Sequence, residues 1–140
     1  TFTKRTAPFA FGNTFDAPSG EACIVRRDRS NTPLQALTML NDVTIMESAQ
    51  ALGNRLAKSD GTIEQRITEA FVRCFSRSPD PVEVAAVLAF FKKQEQRFAA
   101  APESAPSLAG AGPAETVVVR AAWTALARAL MNMDEFVTKR

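Results

Sequence analysis

Three times along this 140-residue chain the same helix-start device appears: Thr32-Pro33-Leu34-Gln35, Thr62-Ile63-Glu64-Gln65 and Asp80-Pro81-Val82-Glu83. In each, a side-chain oxygen is positioned to accept the amide proton three residues on, and a glutamine or glutamate there can reach back to the cap's own amide. Proline follows the cap in two of them, at the first helical position, where a missing amide costs nothing. Apolar residues then recur at helical spacing. The first start is followed by Leu34, Leu37 and Leu40, which supply one apolar face. The second is followed by Ile63, Ile67, Ala70, Phe71, Cys74 and Phe75, and the third by Val84, Leu88, Phe91 and Phe98. Asn41-Asp42 reads as a break, with Asp42 capping a further helix to about residue 58 through Ile45, Ala49, Leu52 and Leu56. One unbroken helix through residue 42 is the alternative, since Val43 does not enforce the break. "SRSPDP" is a short turn, so the helices on either side of it should form an antiparallel hairpin. A last helix over about 115–132 faces inward with Val119, Trp123, Leu126 and Leu130. The expected fold is an all-α bundle of about five helices with an irregular N-terminal arm.

That arm is residues 1–31, where prolines, glycines and scattered aromatics keep no helical period. "ACIVRR" is its best candidate for extended chain. Phe2, Phe9, Phe11 and Phe15 read as anchors for the arm rather than a binding platform. Residues 32–99 hold the first four helices. Residues 100–114, "AAPESAPSLAGAGPA", have few large apolar side chains and read as a flexible linker. Residues 115–140 are the final helix and tail. The whole is expected to be a single helical domain, the C-terminal part of a longer protein. No apolar run approaches the length of a membrane span.

Composition narrows the chemistry. The chain has no histidine, which excludes a Ser-His-Asp triad, a Cys-His dyad, a histidine-ligated metal and haem attachment through C-x-x-C-H within this segment. Two cysteines, Cys23 and Cys74, are too few for a cysteine-rich zinc site; a disulfide and two free thiols are equally open readings. No metal site and no cofactor are expected here. The 17 basic and 15 acidic residues are interspersed and sum to +2, which is not the footprint of a nucleic-acid binder.

Two blocks carry a family resemblance: "FDAPSGEACIVRRDRSNTPLQALTMLND" and "AAWTALARALMNMDEFVTKR". Through Phe15, Asp16, Pro18, Cys23, Arg26, Arg27, Arg29, Asn31–Leu37 and Leu40–Asp42, the first block resembles a C-terminal planctomycete-specific domain of unknown function. The second matches the same domain at Trp123, Leu126, Ala129, Leu130, Asn132, Glu135 and Phe136. Ser30, Val43 and Asp134 depart from the usual threonine, proline and asparagine. The resemblance implies a domain of large exported proteins, in the periplasm or at the cell surface, that often begin with a cytochrome-c-like domain. Any haem would then belong to that separate N-terminal domain.

The arginine block is the candidate site. Arg26, Arg27 and Arg29, with Asp16, Asn31 and Gln35 near in sequence, stand before a helix N-terminus whose bare amides and dipole favour anions. One reading is an anion- or sulfated-sugar-binding site held by the planar guanidinium forks. The other is a structural clamp, in which the arginines pair with Asp16, Glu21, Asp42, Asp134 or Glu135. No spacing selects two carboxylates for acid–base catalysis, so no catalytic residues are assigned. The functional expectation is a structural or ligand-contacting domain whose partners are other domains of the same protein, with carbohydrate or a small anion as further ligands. Part of an enzyme acting on carbohydrate, or in haem-linked redox chemistry, is the alternative.

Overall fold

A computed structural model of the protein describes residues 8–18, 23, 25–26 and 30–138. The chain divides into two compact units, residues 1–39 and 40–140. Among the described residues the regular structure is all helical.

In the first unit, α1 (Ala10–Thr14) is a single turn inside the arm that was expected to be irregular. Such a short helix cannot stand on propensity, and an i, i+4 aromatic pair supports it: the Phe11 and Phe15 ring centroids lie 4.7 Å apart. Phe9 stays exposed, while Phe2 and half of "ACIVRR" (Ala22, Ile24 and Arg27) lie outside the described residues. The next helix, α2 (Pro33–Asn41), begins at the first capping box. Gln35 N donates to Thr32 Oγ1 at 3.2 Å, and Thr32 N donates to Gln35 Oε1 at 3.0 Å. Its buried side chains are Gln35 and Met39, whereas the leucine stripe faces water: Leu34 is 59 % exposed, Leu37 57 % and Leu40 37 %. The cap sets this phase. A glutamine bonded to the chain that precedes the helix must face inward, and Met39, four residues on, shares its side.

The second unit contains α3 (Val43–Lys58), α4 (Ile63–Phe75), α5 (Pro81–Ala100), α6 (Ala105–Ala109), α7 (Val117–Met131) and α8 (Asp134–Val137). The break before α3 falls at Asp42, whose carboxylate accepts from Thr44 N at 2.9 Å and Ile45 N at 3.2 Å. Thr62 and Asp80 complete capping boxes with Gln65 and Glu83. The five longer helices are those the periodicity marks out, and α1, α6 and α8 are additions of one turn or so. At the centre lies α7, which packs against α3, α5 and α6. Trp123, Leu126 and Leu130 of α7 are buried with Phe71, Phe91, Phe98, Leu56 and Ile67, and the Trp123 ring sits 4.3 Å from that of Phe91. Each large side chain so buried contributes roughly 1.5–3 kcal/mol.

Residues 100–114 are not the loose linker their composition suggests. They form a 3₁₀ turn (Pro102–Ser104) and then α6, in which Ala105 and Ala109 are fully buried. Small side chains let this segment lie close on α7, and the buried Arg120 of α7 supplies the donors its backbone needs. Arg120 donates to the carbonyls of Ala111 at 2.9 Å, Pro113 at 3.2 Å, and Ala109 and Gly110 at 3.4 Å. Gly112, at φ 153°, has the freedom to bring that loop against the guanidinium.

Helices α3 and α7 pack closely together at Gly53. A Cβ added there would stand 2.5 Å from Thr124 Oγ1 and 2.7 Å from Thr124 N. Gly53→Ala should gain about 1 kcal/mol of helix propensity. It should lose more by forcing the helices apart, for a net destabilisation of roughly 1–2 kcal/mol. A denaturant melt as stable as the parent's would show that the crossing is not close-packed.

Candidate functional site

The first unit brings together some of the sequence-predicted residues. Asp16 adopts a left-handed backbone conformation at φ 55°, which aspartate tolerates better than most side chains. Its Oδ2 accepts from Ser30 Oγ at 2.7 Å and Ser30 N at 2.8 Å. The buried Gln35 donates through Nε2 to Thr14 O at 2.8 Å and Ser30 Oγ at 2.9 Å, while its Oε1 closes the cap with Thr32. One glutamine thus serves as both helix cap and bridge to the arm. In sequence, Asp16 and Ser30 stand on either side of the arginine run. Arg26 is exposed, as is Asn31; Arg27 and Arg29 lie outside the described residues. The two hydrogen bonds from Ser30 hold the Asp16 carboxyl below the usual carboxylate range, against a smaller opposing effect of burial. The Ser30 hydroxyl thereby ties the arm to the start of α2 through Asp16 and Gln35.

In the second unit the dominant polar feature is Arg77, which sequence reasoning did not single out. Its guanidinium grips two carboxylates in bidentate fashion. Nη1 and Nη2 donate to Glu83 at 2.7 and 2.6 Å, and Nε and Nη2 donate to Glu135 at 2.6 and 2.7 Å. It also lies 5.5 Å from the Phe71 ring centroid and 5.8 Å from that of Phe75. Three elements meet there: the end of α4, the start of α5, and α8. Arg77 and the Asp80 amide together hold the Glu83 carboxyl down to about 2, and Glu83 and Glu135 raise Arg77 further above its ordinary value. Glu135, a candidate partner for the arginine block, is therefore engaged by Arg77, and Asp42 caps α3. The available signal for Arg77 was its place in a short turn six residues before a capping-box glutamate. For Arg120 it was a charge on the inward face of an apolar helix.

Beside this network a pocket of about 970 Å³ opens between the end of α4 and α8, bordered by Arg73, Cys74, Phe75, Asp134, Glu135 and Phe136. Cys74 and Cys23 are free thiols, and burial pushes the Cys74 thiol up to about 11. Among the described residues no helix is long and apolar enough to cross a membrane.

The tie around the arginine run yields a pH prediction. Asp16 has a lower pKa folded than unfolded, so its contribution to stability is complete above the unfolded value. It disappears as pH falls through the folded value. Asp16→Asn keeps a residue suited to the left-handed backbone while removing the charge. The variant should melt below the parent at neutral pH, and the gap should close on strong acidification. A gap that is absent, or that stays the same at both ends of the range, would mean that Asp16 does not hold this loop.

Comparison with known proteins places this geometry in a family. No curated protein and no solved structure matches the chain. The profile of the family described as "PSD1: Protein of unknown function (DUF1553)" matches residues 1–91. That stretch holds the Asp16–Ser30–Gln35 tie, the arginine run, all three capping boxes and Arg77; the Trp123 block lies beyond it. With well over half of its length matched, the chain belongs to the PSD1 family of proteins of unknown function.

Proposed function

We propose that this chain is a helical assembly domain that seats against another domain of the same polypeptide through the outward face of α2. The observation that carries this reading is the exposure of Leu34, Leu37 and Leu40 on a helix with no charged side chain. Apolar anchors at i, i+3 and i+6 on an uncharged helix suit a shallow apolar groove. From behind, the Thr32–Gln35 cap and the bond from Gln35 to Thr14 fix the orientation of the stripe, so it is presented rather than collapsed.

Area favours a tethered partner over a free one. Three partly exposed leucines offer a few hundred Å² at most, whereas a stable contact between separate proteins uses about 800 Å² from each side. A domain joined by the same chain needs less, because its docking is intramolecular and benefits from a high effective concentration. The resemblance stated above supports the wider setting we propose: an exported protein of the periplasm or cell surface, any haem residing in a separate N-terminal domain.

Leu34→Glu/Leu37→Glu should leave the thermal melt of the isolated 140-residue chain near the parent's, because both side chains already face water. In the longer protein the parent's α2 amides should exchange with solvent more slowly than in the isolated chain, and the double variant should lose that protection. Equal exchange of α2 in both contexts, or unfolding of the isolated variant, would rule out a docking face.

A further inference from the structure

We propose that Asp60–Gly61, in the connection between α3 and α4, is a site of spontaneous backbone modification, where aspartate passes through a succinimide to isoaspartate. The reaction needs no enzyme and no second reagent. The Gly61 amide nitrogen attacks Cγ of the Asp60 carboxylic acid, a C–N bond forms, and the acid's hydroxyl leaves as water with the amide proton. Water then opens the ring at either carbonyl. Attack at Cγ restores aspartate, and attack at the main-chain carbonyl leaves isoaspartate, so the final mass is unchanged.

Ring closure needs an accessible carboxyl group, a following amide nitrogen not held in a hydrogen bond, and little bulk on the residue that carries that nitrogen. All three meet here. Asp60 and Gly61 are both exposed. Among the described residues no hydrogen bond or ion pair engages the Asp60 carboxylate or the Gly61 amide. Glycine has no side chain to crowd the ring or restrict the rotation that forms it.

The other described aspartates each lack a requirement. The Asp16 carboxylate accepts from Ser30, and the Ala17 amide donates to Gly12 O at 2.8 Å. Asp42 caps α3 and precedes the β-branched Val43. Asp80 caps α5 and precedes Pro81, which has no amide proton. Asp134 is helical and precedes a long side chain.

The fold also keeps the labile pair in place. Gly61 adopts φ 99°, and a Cβ there would collide with Gln65 Oε1, the oxygen that accepts from Thr62 N at 2.8 Å in the α4 capping box. The cap therefore requires the glycine that leaves Asp60 beside a bare amide. Conversion routes the main chain through Cβ and Cγ, adding one carbon between that box and Ser59, whose Oγ donates to Glu69 at 3.1 Å.

The test incubates the folded 140-residue chain in warm, mildly acidic buffer and follows its tryptic peptides over time. The Ser59–Arg66 peptide should gain a second form of equal mass, preceded by a species one water lighter. That second form should resist a protease that cuts before aspartate and not before isoaspartate. Conversion should be several-fold greater at Asp60 than at Asp42, Asp80 or Asp134, and the Asp60→Glu variant should show no second form of its peptide, since a six-membered ring closes far more slowly. Conversion at Asp60 no greater than at those three aspartates, or a second form that persists in Asp60→Glu, would overturn the proposal.

Discussion

Arg120 carries a full positive charge at a position only 2 % exposed, so water cannot do most of the work of solvating it. Five oxygens do so instead, from the carbonyls of Ala109, Gly110, Ala111 and Pro113 and from Asn54 of α3 at 3.2 Å. The need is mutual. Those carbonyls sit in a short, alanine-rich segment with little apolar surface to bury, and a guanidinium at the right place satisfies four of them at once. Once that segment is fixed, Ala105 and Ala109 cover α7, Gln50 of α3 donates to Leu108 O at 3.1 Å, and α3 and α7 close together at Gly53. The second unit is thus built around one inward-facing charge on its central helix.

Two further polar side chains among the described residues are used in similar ways. Arg77 joins three elements by serving two glutamates, and Gln35 joins the arm to the start of α2 while capping that helix. Side chains of a kind often found in active sites are here spent on fixing chain segments. The leucine stripe of α2 stands outside that pattern, as an exposed apolar face on an uncharged helix.

What could be read from the sequence divides along a physical line. Helix starts at Thr32, Thr62 and Asp80 were legible because capping is local chemistry, complete within four residues. Trp123 as core was legible because α7 is apolar at helical spacing on the face it buries. The orientation of α2 was not, since its three leucines outvote one glutamine in any count of hydrophobicity. Besides the cap, Gln35 bonds to Thr14, distant in sequence, and to Ser30, and these bonds turn its face inward. Order in residues 100–114 was hidden for a related reason: the stabilising group, Arg120, lies outside the segment it stabilises. Of the candidate site, Asp16 and Gln35 do meet, directly at 3.5 Å and through Ser30, a residue that entered the sequence argument only as a departure from a familiar pattern.

Native-state hydrogen exchange across a denaturant series tests the central role of Arg120 most directly. Gly110 N, bonded to Pro106 O at 3.1 Å, reports on the segment that Arg120 holds, and the interior amides of α7 report on the core. If the buried guanidinium joins the two, the Gly110 amide should share the opening free energy and denaturant dependence of α7, merging with global unfolding. A Gly110 amide that exchanges through a small, denaturant-insensitive opening while α7 remains protected would contradict the account.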